Sequence, residues 1–592
     1  SGIFPSLPSG MDLILKKHKK PDFSKFIKID EPSNEDNHIK VKTAIKKTYQ
    51  KLLDLNIRSA MNSGKDILGK FYEVFLKYGN GAKEIGIVLT PRHITKFASY
   101  TLDINANDLV LDVACGTGGF LVSAYDEVKR KTQDKKAFEN FKENGIYGIE
   151  EQDPIISLAI VNMIFRGDGK TNMIECNCFN KWLIAKSENG KVRAEYIDED
   201  KKNRIRPITK VMINPPFSQE KKEFEFIEQA LDQMQNSGIL FCVLPVGVLV
   251  KQSKFIQWRK EMLKKNTLLS VVTFPTDLFY PVGTHTLGLY IKKGIPHDKK
   301  QNVLWIKVDK DGFIKVKGKR LPSQKEENQL KEVADLVKDF IKDQTIKVKN
   351  KEEFTKAEKI DFEDKNLELL PQVYLNEKKP SDEVLYKRVD NSIKEFVSSM
   401  IKYSKLKEFK ENVINKEKDF FKNINYNKEI SWKEVYLTEL FEKPIKTGNY
   451  HKSSELDDGE TPLVSCVSVD CGFEGFFNIE NKKHILQNAI TIASDGQPLT
   501  SFYHYYPFTA KDNVLICKPT KDYKFTTLLF FATQINSLKW RFSYGRKCYE
   551  NKADKLKIFL PINKKEEIDE DYLNYVFKKS REWELLEKLL KS

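Results

Sequence analysis

The chain has 592 residues, too many for one ordinary core and enough for two or three domains. Lys and Arg number 100 against 84 Asp and Glu; the resulting +16 is spread along the chain and favours a polyanionic partner such as nucleic acid. Eight scattered cysteines with no CxxC pair argue for reduced thiols, and no apolar run reaches the roughly 18 residues of a membrane span, so a soluble, intracellular protein is expected.

Ser1-Gly2, without methionine, reads as a tag remnant or an internal boundary with something missing upstream. Residues 1–80 are lysine-rich, and Ile45, Tyr49, Leu52 and Leu53, then Leu68, Phe71, Tyr72, Phe75 and Leu76, keep the spacing of a small helical module. No PD…ExK nuclease constellation is visible in it: Pro21-Asp22 is followed by Glu31, but no ExK completes a metal site. Thr90-Pro91 then opens a helix running to Tyr100, with Thr as its cap and Pro at its first position.

Asp108 to Phe120, DLVLDVACGTGGF, reads as a buried strand entering a glycine-rich turn and a helix. Gly116, Gly118 and Gly119 let the backbone approach a ligand where a Cβ would clash, and Asp112 stands at the strand's carboxyl end, where open α/β sheets bind ligands. The spacing is neither GxGxxG nor GxxxxGK[ST], which disfavours a dinucleotide or ATP. S-adenosylmethionine fits better, since it needs close backbone approach and carboxylates but no phosphate cradle. Ile146 to Glu150 makes a second strand whose terminal carboxylate is placed to accept both hydroxyls of a ribose, and Ile155 to Phe165 follows as a helix. A third strand ends near Met173 to Phe179; Cys176 and Cys178 form only a CxC without histidine partners, so no metal site is expected.

Val211-Met212-Ile213 leads into Asn214-Pro215-Pro216-Phe217, the most informative tetrapeptide in the chain. Two prolines continue neither sheet nor helix and hold the Asn214 side chain and the Pro215 carbonyl rigidly at the sheet edge. That pair can accept both hydrogens of an exocyclic amine, concentrating the nitrogen lone pair for attack on a methyl group, while Phe217 offers a face on which a base taken out of the duplex can stack. Cytosine-C5 chemistry is disfavoured because no Pro-Cys dipeptide occurs; Cys115 in the turn reads as packing.

DVAC-GTGGF, YGIE and NPPF in that order resemble the DNA adenine amino-methyltransferases, specifically the modification subunits of type I restriction systems and their type II relatives. The resemblance runs from Ile85 to about Tyr374 and takes in Thr90-Pro91, Leu244 to Leu249, Phe279, Pro281 and Thr284. It implies a Rossmann-like, S-adenosylmethionine-dependent α/β domain over 81–380. It also implies that Thr90, Pro91, Asp112, Gly116, Gly118, Gly119, Phe120 and Glu150 hold the cofactor and that Asn214, Pro215, Pro216 and Phe217 handle the target adenine. Cys176-Asn177 replaces the family's usual Gly-Asp, leaving the cofactor adenine to the Asn177 amide or to another group.

Residues 294–380 are rich in Lys and Glu, with a hairpin expected over Asp309 to Lys319 and a surface helix over Gln329 to Ile341. Residues 381–428 keep helical spacing and read as a spacer helix that either packs on a partner helix or folds onto its own domain. Over 429–592, short β-like runs (Trp432 to Phe441, Leu463 to Val469, Ala489 to Ala493, Phe502 to Tyr506, Val514 to Cys517) describe a separate β-rich domain of α+β type. Gly448-Asn449-Tyr450, Cys471 to Phe477, Asp495-Gly496, Phe508, Ser543 to Lys547 and Ile558 to Pro561 resemble the target-recognition domain of type I specificity subunits, and Arg541, Tyr544, Arg546 and Lys547 are its candidate DNA contacts.

The expected function is therefore methylation of the N6 amine of an adenine flipped out of duplex DNA, in the cytoplasm and nucleoid of a bacterium. The single recognition domain suggests two copies, or a specificity or nuclease partner subunit, for a bipartite site. The same NPPF chemistry serves RNA or a protein glutamine amide, and a DNA-binding scaffold with an inactive transferase half is a further alternative.

Overall fold

The computed structural model describes residues 89–591 apart from 165–171, 189–190, 199–204, 218–220, 352, 418–425 and 428; the expected N-terminal module (1–80) lies outside them. The chain divides into two compact units, one ending at Leu375 and the other beginning at Asn376.

Strands in the first unit are β1 (Val110–Asp112), β2 (Ile146–Glu150), β3 (Asn172–Glu175), β4 (Trp182–Glu188), β5 (Lys191–Ile197), β6 (Ile208–Ile213), β7 (Met234–Pro245), β8 (Thr267–Thr273), β9 (Thr286–Lys292), β10 (Asn302–Lys307), β11 (Phe313–Val316), β12 (Lys319–Pro322) and β13 (Thr355–Lys359). Nine of them form one sheet in the order β13-β10-β8-β9-β7-β6-β1-β2-β3, while β4–β5 and β11–β12 are separate hairpins. From β3 to β7 neighbours run parallel; β9 runs antiparallel between β7 and β8. Burial on both faces explains why β8, TLLSVVT, is apolar without alternation: every residue of it is buried. The chain goes from β1 outward through β2 and β3, then returns to the other flank of β1 as β6. This reversal places a crevice beyond the carboxyl ends of β1 and β6.

Among the described residues of this unit the longer helices are α1 (Arg92–Thr101), α2 (Gly119–Lys131), α3 (Lys135–Asn144), α4 (Asp153–Ile164), α5 (Glu223–Asp232), α6 (Lys254–Lys265) and α7 (Gln329–Lys342). Two local expectations change here. Thr90 does not cap α1, whose N-cap is Pro91 with no side-chain bond. The expected hairpin over Asp309 to Lys319 forms further on, as β11–β12, because the turn falls on Lys317-Gly318, both at positive φ (44° and 77°).

In the second unit the stripe Leu385, Val389, Ile393, Phe396, Val397 and Met400 of α8 (Asp382–Lys402) is buried in that unit's own core, so of the two sequence readings the structure follows folding onto its own domain. The helix stops at Lys402, well short of 428. Strands at Ala489–Ala493 and Val514–Cys517 have the expected bounds, whereas the others end early, at Tyr436, Val464 and His504. A helix over Phe525–Ser537, FTTLLFFATQINS, is almost wholly buried, which erases the periodicity by which sequence would reveal it.

Candidate functional site

Strand β1 delivers the chain into the glycine turn. Gly116 and Gly118 sit at φ 54° and 81°, in the left-handed region that side chains enter at a cost of about 1 kcal/mol or more. A Cβ on Gly116 would meet nothing within 4 Å, whereas one on Gly118 would lie 3.4 Å from the Ala159 Cβ of α4. Gly116 thus faces open space and Gly118 faces a helix. Gly119 opens α2, with Thr95 at van der Waals distance. Backbone bonds hold the turn: Cys115 N–H donates to the Ile149 carbonyl (2.9 Å) and Gly118 N–H to the Cys115 carbonyl (2.8 Å).

Glu150 braces this turn. Its Oε2 accepts the Gly116 N–H at 3.0 Å, and its Oε1 accepts the N–H groups of Glu151 and Gln152, each at 3.1 Å. With three of about four acceptor sites filled, room remains for one further hydroxyl where the sequence suggested two. Burial raises the Glu150 carboxyl above the usual carboxylate range, against the pull of those three bonds. Asp112 is buried, and desolvation pushes its carboxyl well above that range, opposed by the Ala114 N–H on Oδ1 (3.1 Å) and reinforced by the charge of Glu150. Two desolvated acids beneath a glycine turn make a place that a cation would stabilise.

The other expected cofactor residues have protein partners. Phe120 lies in the core, its ring edge-on to Phe241 at 6.0 Å. Both ends of the Asn177 amide are engaged: Oδ1 accepts the Phe179 N–H (2.9 Å) and Nδ2 donates to Glu151 Oε1 (3.0 Å). Glu151 is thus Asn177's partner. Burial pushes the Cys115 thiol up, as suits a packing group.

Strand β6 lies parallel beside β1, so Asn214-Pro215-Pro216-Phe217 follows the neighbouring carboxyl end. Asn214 Nδ2 donates to Thr90 Oγ1 at 2.9 Å, and Asn214 Oδ1 is buried without a hydrogen-bond partner among the described residues. An orphaned buried acceptor costs about 1–3 kcal/mol, which a ligand N–H would recover. Thr90, expected at the cofactor, places its hydroxyl on the amide that the target amine would meet. Pro215 is buried and Pro216 and Phe217 are half-buried; the Phe217 ring meets Phe279 edge-on at 6.0 Å and 86°.

Among the candidate DNA contacts of the second unit, Tyr544 is 81% exposed. Arg541 stacks on Trp540, with its guanidinium 4.4 Å from the ring centroid, and Lys547 pairs with Asp495 at 2.5 Å. Arg546 is the correction: it is buried, donates from Nη1 to the Arg541 carbonyl (2.7 Å) and stacks on Phe542, so it shapes the loop and is not presented to a phosphate. Arg546→Ala is expected to destabilise the second unit by about 1–3 kcal/mol, read as a lower urea midpoint, whereas Tyr544→Ala leaves the midpoint unchanged.

Residues 63–383 match the N-6 DNA Methylase family, and residues 429–591 match the Type I restriction modification DNA specificity domain. The chain is similar to the type II restriction enzyme and methyltransferase RM.BcgI of Heyndrickxia coagulans, 36% identical over 262 residues that cover 43% of this chain and 38% of that protein. It is also similar to the type I restriction enzyme EcoEI methylase subunit of Escherichia coli, 26% identical over 282 residues, covering 44% of this chain and 53% of the relative. The solved type I restriction enzyme EcoKI M protein aligns with a TM-score of 0.31 and 22% identity over 38% of this chain and 48% of its own, a likeness too slight to bear on function. The chain spans 38% and 53% of the length of the first two relatives. Because the matched stretch 63–383 is more than half of the 592 residues, the chain belongs to the N-6 DNA methylase family.

Proposed function

We propose that this chain transfers a methyl group from S-adenosylmethionine to the N6 amine of an adenine in duplex DNA, at a site chosen by its C-terminal recognition domain, within a restriction-modification system. The observation that carries the reading is the buried Asn214 Oδ1, oriented by Thr90 and without a hydrogen-bond partner among the described residues, at the end of the strand beside the glycine turn. Asp112 and Glu150 suit a cofactor with cationic and hydroxyl groups, and Gly116 leaves the space for close approach. When bound, S-adenosylmethionine supplies a methyl group on a positively charged sulfur. Asn214 Oδ1 and the Pro215 carbonyl would accept the two amine hydrogens, localising the nitrogen lone pair and directing it, and the surplus amine proton would be left to solvent. Phe217, braced by Phe279, stacks against the displaced base.

In the second unit, polar and aromatic loops including Tyr544 read base edges, and a second copy or a partner subunit completes a bipartite site. The setting is the cytoplasm; no helix among the described residues is long and apolar enough to cross a membrane. Tritiated cofactor offered with duplex DNA, RNA and protein tests the reading. Label on N6 of adenine in duplex DNA is expected; label only in RNA or on glutamine, or cofactor binding with no transfer, overturns it.

The raised carboxyls give a second expectation. A bound cation lowers the protonation of Asp112 and Glu150, so binding releases protons and weakens as pH falls through their raised values. The loss is at most about tenfold per pH unit for each proton released. Calorimetric titration of the cofactor at several pH values should show this slope, and Glu150→Gln should flatten it.

A further inference from the structure

The β11–β12 hairpin stands apart from the nine-stranded sheet and has two unlike faces. Its register pairs Ile314 with Leu321, Lys315 with Arg320 and Val316 with Lys319. Phe313 and Arg320 turn inward, and Lys315 shares their face but stays exposed. Phe313 stacks on His93 (4.3 Å), and Lys315 Nζ sits 4.1 Å from the Tyr280 ring centroid. Arg320 forms a two-point pair with the fully buried Asp311 (2.6 and 3.0 Å) and reaches Asp277 at 3.3 Å. Outward point Ile314, Val316 and Leu321, exposed by 39%, 37% and 46%, beside Lys319.

A lone two-stranded ribbon is marginal in water, so this one depends on its buried ionic anchor. An anchored ribbon that shows its apolar face to solvent is built to meet something. Its charge says what: between Asp311 and Glu326 the chain carries Lys315, Lys317, Lys319 and Lys325 and no acid, besides Arg320, whose charge Asp311 and Asp277 neutralise. Lys317 also occupies a left-handed turn position where Asn or Gly would be easier, which puts a cation at the tip. Its place agrees. A Cβ on Gly318 at the tip would lie 3.7 Å from the Tyr280 hydroxyl, and Tyr280 follows Phe279, the ring that braces Phe217.

We propose that this hairpin enters the duplex beside the target base, with Ile314, Val316 and Leu321 against the base stack and the tip lysines on flanking phosphates, so that it supports extrusion of the adenine. The inference rests on the adenine-methylating reading above and adds the element that opens the helix. Apolar wedges at a base step offset unstacking, and a lysine row grips the backbone in a salt-dependent way.

The test uses the full chain and a duplex carrying the site that the unaltered protein methylates, with the target adenine paired to thymine or set opposite an abasic position. Replacing Ile314, Val316 and Leu321 together by serine should lower kcat on the paired duplex by about tenfold or more, and the abasic partner should restore it to within about threefold, because the base is then already unpaired. Cofactor affinity should stay unchanged. The Lys317→Gln, Lys319→Gln variant should bind duplex more weakly and lower the salt slope by about one to two. Unchanged rates on the paired duplex, or equal losses on both duplexes, overturn the proposal. So does intact DNA methylation with an altered subunit stoichiometry, which would make the face a protein contact. If the unaltered chain methylates no adenine, the reading of the site itself fails and takes the hairpin proposal with it.

Discussion

Asn214→Ala is expected to lower kcat for methyl transfer by about 10²–10³-fold while cofactor affinity stays close to that of the unaltered chain. The side chain lies after β6, and among the described residues its amide has one partner, Thr90 Oγ1 at 2.9 Å, on Nδ2. On the proposed reading Oδ1 accepts from the reacting amine, so the loss belongs in kcat and not in KM. Thr90→Val separates placement from contact: it keeps the shape, removes the hydroxyl and lets the amide rotate, for an expected loss of about tenfold. Sequencing that reports adenine methylation, applied to DNA from cells expressing each variant, gives the same comparison in vivo. An Asn214→Ala protein as active as the unaltered chain would remove the basis for placing the chemistry at this strand end.

Asp311→Ala is expected to destabilise the first unit by about 3 kcal/mol. Asp311 is fully buried, lies 2.9 Å from His93 Nε2 and takes both Nη atoms of Arg320; without it, Asp277 at 3.3 Å is the arginine's remaining acid partner. Burial alone would push the Asp311 carboxyl up, but the hydrogen bonds from His93 and Arg320 outweigh it and hold it at about 2. A depressed folded value means that stability is present above the unfolded value near 3.8 and is lost as pH falls from there through about 2. That contribution is on the order of 2 kcal/mol. Urea unfolding at neutral pH and near pH 3 should therefore show the gap between the unaltered chain and Asp311→Ala narrowing at the acid end. Since His93 lies on α1, just after Thr90, the same variant should slow methyl transfer through a loosened Thr90–Asn214 bond.

The Asp311 network also shows where sequence reading ends. His93 and Asp311 are 218 positions apart, and nothing local to either residue announces the pair. Arg546 failed in the opposite direction: an arginine in a loop beside tyrosine and lysine looks like a phosphate ligand, and only packing against Phe542 shows that it faces inward. The Phe525–Ser537 helix was invisible because a segment buried all round has no polar face to set a period.

By itself the sequence determined what depends on neighbours along the chain. The glycine turn after β1, the acid closing β2 and the NPPF that stops β6 are each set by local backbone rules, and their order along the chain pointed to the family and to the α/β class. Tertiary structure decided how the groups share their hydrogen bonds and neighbours: that Glu150 braces Gly116, that Thr90 turns Asn214 instead of capping a helix, that Asn177 is held by Glu151, and that a basic hairpin packs on Tyr280, the residue after the ring that braces Phe217. A side chain's donors and acceptors are filled by whatever the fold brings within about 3 Å, and that distance is set by strand order and packing across the sheet, which no stretch of sequence contains.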